Sequence, residues 1–216
     1  VGAVGVAATL AAKKASDLAE TQSKVAQIFG ESSKELQAWS LAAPTALGQT
    51  QNAALDAAST MATFGKAAGL TGAELVNFSK ETVNLSGDLA SFYNTDPAEV
   101  VNALGSALRG ESEPMRKFGV LLNDQTLKAE AMALGIWDGT GALTAQQKVL
   151  AAQAAIMKQT GDAQGDFART ADGAANQQRI FTAQMEQFQT EMGSILLPVL
   201  TAVTGMMASM AGWMRE

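Results

Sequence analysis

Apolar residues recur along this chain at helical spacing almost from end to end. The clearest case lies in the last fifth. There Phe181, Met185, Phe188, Met192, Ile195 and Val199 follow alternating steps of four and three. Ala202, Met206 and Met210 continue the run beyond Pro198. This rhythm keeps one stripe on one helix face, with a coiled-coil-like period of about 3.5 residues. The polar half of the pattern then disappears, and residues 193–214 carry no ionisable side chain. A helix that starts amphipathic and ends uniformly apolar predicts burial against a partner, another copy of itself, or lipid. Pro198 predicts a kink, because it removes one ladder bond and crowds the preceding turn.

Upstream, residues 4–29 read as helical in their second half, with Leu18, Val25 and Phe29 near one face before Gly30. A short helix over 32–42 is halted by Pro44, and an Ala-rich helix over 50–68 is closed by Gly69. Thr71-Gly72-Ala73-Glu74 reads as a capping box, with Leu70 and Leu75 placed as a hydrophobic staple. The helix it opens carries Leu75, Phe78, Leu85, Leu89 and Phe92. Asp96-Pro97 starts another, with Pro at the first helical position. That helix buries Val100, Val101, Leu104 and Leu108 and stops at Gly110. A knot of short structure follows over 111–122. Asn123 caps a helix to Leu134, and a Gly-rich loop over 137–143 holds a core-covering Trp137. Thr144 and Gln147 form a second capping box, opening a helix to Gln159. Residues 161–172 read as a polar, Gly-containing linker.

Strand-type alternation is nearly absent, and 42 of the 216 residues are alanine, the best helix former. The expected fold is therefore all-α: a compact multi-helix body followed by a long, Pro-kinked C-terminal helix. The expected division is an Ala-rich helical body over 1–160, the linker over 161–172, and an oligomerisation or docking helix over 173–216. Val1 is not an initiator Met, and Glu216 falls where the helical pattern has not stopped, so the chain reads as an internal piece of a longer protein.

Absent residue types narrow the chemistry. With no His and no Cys, a Ser-His-Asp triad, a thiolate nucleophile and His- or Cys-ligated zinc are excluded. The carboxylate pairs Glu111/Glu113 and Asp162/Asp166 read as solvated loop residues. The Gly-rich stretches lack the Gly-Lys-Ser/Thr of a phosphate-binding loop. No enzyme activity, cofactor or metal is expected. A net charge of −6 and no basic stripe with interleaved aromatics argue against sequence-specific nucleic-acid binding.

The uncharged run has the length of a membrane span. Leu196, Leu197, Val203, Met206, Met210 and Trp213 are its candidate lipid-facing residues. Gly205/Ser209 and Ala208/Gly212 are small-residue pairs of the kind that pack membrane helices. Pro198, Ser194, Thr201, Thr204 and Ser209 weigh against insertion, as does the continuing stripe, so burial against protein is the preferred reading. The oligomer-interface candidates are Phe181, Met185, Phe188, Met192, Ile195 and Val199.

Two blocks carry a resemblance. The first is Leu108-Arg109-Gly110-Glu111-Ser112-Glu113-Pro114 followed by Lys117-Phe118-Gly119-Val120. The second is Gly165-Asp166-Phe167-Ala168-Arg169-Thr170, then Ala175-Asn176-Gln177, then residues 193–198. Together with their order and spacing, they resemble the tail tape measure proteins of long-tailed bacteriophages over about residues 30–214. The resemblance implies a structural role: setting tail length, nucleating tail tube assembly, and leaving ahead of the DNA at ejection. It implies a homo-oligomer, expected as a trimer, with tail tube and tail tip proteins and tail assembly chaperones as partners. The host membrane is a further partner at ejection. The expected location is the virion tail, in the tube lumen or tip, and the host cytoplasm during assembly. No catalytic residue carries over. Gly110 and Gly119 are expected as backbone turns, with Pro114 and Phe118 as a packed corner. The alternative function is a membrane-active helical protein forming a pore through 193–214.

Overall fold

The computed structural model describes residues 2–213, with side chains described for 7–199, 202 and 206. Its helices are α1 (Gly2–Phe29), α2 (Ser33–Ser40), α3 (Ala43–Ala46), α4 (Gln51–Ala67), α5 (Gly72–Phe92), α6 (Pro97–Leu108), α7 (Asp124–Ala133), α8 (Ala145–Gln159), α9 (Asp166–Arg169) and α10 (Ala174–Trp213). Short 3-10 turns fill Gly30–Ser32 and Glu113–Phe118. No strand occurs among the described residues. The all-α class with a long C-terminal helix is therefore the observed one.

The body is built around α5, which packs against α4, α6 and α9 and touches α1 and α2. Leu75, Val76, Phe78, Val83, Leu85 and Leu89 are each at most 3% exposed. A helix buried this widely must also bury hydroxyls. Ser79 and Thr82 donate to the carbonyls of Leu75 and Phe78, four residues back, at 2.8 and 2.7 Å. Ser59 in α4 and Thr160 after α8 do the same. Each hydroxyl is satisfied by its own helix, so its burial needs no outside partner. The helix α4 approaches α5 closely because Ala54, Ala58 and Ala62 occupy its inner face. At Gly65 a Cβ would lie 2.6 Å from Leu75 Cδ1.

The helix starts expected at Asp96, Asn123 and Thr144 are capped by those side chains, and Thr50 caps α4 as well. Thr50, Asp96 and Asn123 accept from the backbone N–H of Ala53, Ala98 and Thr126. At Thr144 both halves of the capping box form with Gln147. The box expected at Thr71 does not form, and its hydroxyl accepts no bond from α5. Gly72 takes φ +52°, a left-handed turn that breaks the extended-then-helical geometry a box requires. Phe92 differs as well: it is 49% exposed at the end of α5 rather than buried in its stripe. One stop escaped the sequence reading. Asn94 sits at φ +49°, and the Thr95 and Asn94 N–H groups close on the Ala90 and Ser91 carbonyls.

Two further differences concern the ends. The first half of α1 is fully helical, because α10 packs along it. Residues 161–172, expected as a polar, Gly-containing linker, are mostly exposed but anchored to the body. Ala163 and Phe167 are 3% and 2% exposed, and α9 lies against α5. Phe167 supplies the apolar anchor that the polar composition of this stretch conceals.

Candidate functional site

The helix α10 is the most unusual element, and its two faces explain why. It contains 40 residues, about 60 Å at 1.5 Å per residue. The element is unbroken across Pro198. It runs antiparallel to α1, since Lys14 pairs with Glu186 at 3.2 Å while Ala11 meets Gly193. At Gly193 the two backbones nearly touch: a Cβ there would lie 1.8 Å from the Ala11 carbonyl oxygen. Only glycine fits on the α10 side. Ala11, Ala12 and Ala15 supply equally small side chains on the α1 side, each at most 8% exposed.

The face that α10 turns to the body is small and polar. Asn176, Ala183, Thr190 and Gly193 are its buried positions among the described residues. Asn176 Nδ2 donates to Ser91 Oγ and to Thr170 Oγ1, both at 2.8 Å. The Arg179 guanidinium donates to Asn176 Oδ1 at 2.7 Å and to Asn94 Oδ1 at 3.0 Å. It also reaches the Ala90 and Thr95 carbonyls, which closes the C-terminal end of α5. Gln187 Oε1 accepts from the Gln51 N–H at 3.4 Å. The helix is held by hydrogen bonds and close backbone approach more than by apolar bulk.

A row of large apolar residues lies on the other side. Phe181, Met185, Phe188, Met192, Ile195 and Val199 are all exposed, from 41% at Met192 to 67% at Ile195. Phe181, Phe188 and Ile195 each stand five positions beyond a buried residue, namely Asn176, Ala183 and Thr190. Five residues turn about 140° around the helix. Burying a residue of this size contributes about 1.5–3 kcal/mol. Leaving six half-exposed therefore forgoes on the order of 5 kcal/mol. An exposed apolar strip of this extent marks an interaction surface.

Of the lipid-facing candidates, Leu196 and Leu197 are half-buried and Met206 is exposed. The side chains of Val203, Met210 and Trp213 lie outside the described residues. Among the described residues, no helix is long and apolar enough to cross a membrane.

The α9 corner ties α10 to α5. Asp88 accepts the N–H groups of Gly165 and Phe167 at 2.8 and 3.2 Å. Burial pushes its carboxyl above the ordinary aspartate value, the two backbone bonds oppose that, and the nearby Asp166 adds to it. Asp166 in turn accepts from Ser91 Oγ at 2.6 Å. The second resembling block is thus a clasp: Gly165, Asp166, Phe167, Thr170 and Asn176 all converge on Asp88 and Ser91.

The first block forms the other corner. Gly110 and Gly119 take φ +98° and +76°, conformations that glycine alone adopts freely. Phe118 and Met115 are buried at 3% and 0%, and Tyr93 packs edge-on against Phe118 at 5.4 Å. Lys117 pairs with Glu99. Pro114 differs from the expected packed corner. It stands exposed at the start of the 3-10 turn, where it sets the backbone rather than filling space.

Several of the remaining polar groups are paired. Glu111 and Glu113 face Arg109 and Arg116. A groove of about 670 Å³ opens between α10 and the starts of α4 and α6. Its charged groups are already engaged, Asp56 with Lys24 and Glu186 with Lys14, while Asp96 caps α6. Among the described residues, no group of three or more acidic residues is arranged to hold a metal ion. Trp137 is half-buried; its Nε1–H donates to the Thr140 carbonyl at 2.8 Å, and Lys128 lies over its ring. No family model, curated protein or solved structure matches this chain.

Proposed function

We propose that this chain is a structural segment of a tape measure protein of a long-tailed bacteriophage. Its partners would be tail tube and tail tip proteins and tail assembly chaperones, and its place the lumen or tip of the tail. The observation that carries this reading is the first block, Gly110-Glu111-Ser112-Glu113-Pro114 through Lys117-Phe118-Gly119-Val120, followed at family-like distance by the second. Two features are consistent with an assembly role. Both blocks occupy corners that hold helices together, and α10 offers an apolar strip the body does not cover.

The test is genetic and metric. Removing the coding sequence for these 216 residues in frame from the phage that encodes them should shorten the tail or abolish tail assembly. Tail length is measured on negatively stained particles. Infective particles with tails of unchanged length contradict the proposal.

A further inference from the structure

We propose that the groove between the end of α6 and the starts of α7 and α8 is a binding site for an extended acidic peptide of a partner protein, which pairs with the main chain of Leu122. The inference does not require the tail reading.

The groove measures about 360 Å³, inside the range of about 300–1,000 Å³ over which binding sites fall. Leu108, Val149 and Ala152 form a buried floor, and Leu122 and Leu127 stand half-buried beside it. One wall belongs to the first block, at Leu108, Arg109 and Gly110. A floor of this kind takes an aliphatic side chain.

The main chain beside the floor lacks a partner. Residues 120–123 carry no helix, and Asn123 is extended at φ −138° and ψ 172°. The Leu121 N–H donates to Gln159 Oε1 at 2.9 Å, and the Leu121 carbonyl accepts from Gln159 Nε2 at 3.2 Å. The Gln159 amide thus imitates one rung of a neighbouring strand. In an extended chain the next residue turns its N–H and C=O the opposite way. Among the described residues, no hydrogen bond engages the N–H or C=O of Leu122. Such a half-buried donor and acceptor call for a partner, and an added extended peptide supplies both.

The rim sets the charge of that peptide. The groove's own carboxylate, Asp124, is matched by Lys128 at 2.7 Å. Arg109 is held by Ser106 Oγ at 3.0 Å and by the Phe64 ring beneath its guanidinium. It meets Glu111 only at 3.8 Å. Lys148 is exposed, and its ammonium has no ion-pair or hydrogen-bond partner among the described residues. Even with Glu111 set against Arg109, the rim keeps a free positive charge at Lys148. A ligand carboxylate complements it. A fatty acid also brings a carboxylate and an apolar tail, but it has no amide to pair with Leu122.

Calorimetric titration of the whole chain with an end-blocked hexapeptide of alternating leucine and glutamate tests the site. The peptide should bind one to one and more weakly as salt is raised. Lysine in place of glutamate in the peptide should weaken binding about tenfold or more, and so should Lys148→Glu in the protein. Lys148 is exposed, so the far-UV circular dichroism of that variant should be unchanged. Lys34→Glu, exposed on α2 and outside the groove, should leave the affinity as it was. N-methylation of the leucine amides should cost about three- to tenfold through the lost pairing with Leu122. No binding of the glutamate peptide, equal binding of the lysine peptide, or an unchanged affinity in Lys148→Glu would overturn the proposal. So would displacement of the peptide by laurate together with no effect of N-methylation, which would mark a lipid site instead.

Discussion

Individual side chains show where a short motif decides the backbone and where a neighbour overrides it. Thr144 and Thr71 each stand three residues before a Gln or Glu, yet only Thr144 caps its helix. Thr144→Ala should lower stability by about 0.5–2 kcal/mol. Thr71→Ala should change it by less than half as much. Urea denaturation followed at 222 nm checks both, and equal losses would mean that the Thr71 cap forms in solution. Asp88 makes a second prediction. Burial raises its folded-state pKa, so folding favours the protonated form. As pH falls from neutral toward the ordinary aspartate range, about 3.9, the folded state takes up this proton before the unfolded state does. Its contribution to stability therefore grows on acidification and is lost as pH rises through the folded pKa. Relative to Asp88→Asn, the unaltered chain should gain stability over that window. A relative loss in the same urea titrations would show that the two backbone bonds outweigh burial.

At the level of helices, local grammar and packing divide the account between them. Helix starts at Asp96, Asn123 and Thr144 were legible because the cap lies within three residues of what it satisfies. The stop at Asn94 was not, because a non-glycine residue takes the left-handed position there. The corner at 161–172 was hidden by composition, since one Phe167 among polar residues does the anchoring. The orientation of α10 was the least legible feature. Hydrophobic periodicity locates the apolar face of a helix, but here that face is not the one that docks. Docking is decided by contacts distant in sequence: Gly193 against Ala11, Asn176 against Ser91, Gln187 against Gln51. Gly193→Ala tests the close approach. Alanine gains about 1 kcal/mol in helix propensity, but its Cβ would meet the backbone of Ala11, and such overpacking costs about 1–3 kcal/mol. The net should be a lower urea midpoint and melting temperature. A variant as stable as the unaltered chain, or more so, would mean that α1 and α10 stand further apart.

For the molecule as a whole, the body and the long helix answer different demands. The body satisfies itself through the α5-centred core, the caps and the two corners. The long helix is fixed to that body by its small, polar face and keeps Phe181, Met185, Phe188, Met192, Ile195 and Val199 outside. An element arranged this way fits a protein that functions in contact with others, which is what a structural tail component requires. The central claim is which face of α10 is turned inward. It is tested by thiol alkylation of single cysteines placed in a Met185→Glu/Phe188→Glu/Met192→Glu background, which removes apolar bulk from the exposed strip. A cysteine at Ile195 should react rapidly. One at Ala183, 3% exposed against the body, should react at least about tenfold more slowly, because it must wait for local opening. Equal rates, or faster reaction at Ala183 than at Ile195, would contradict the account.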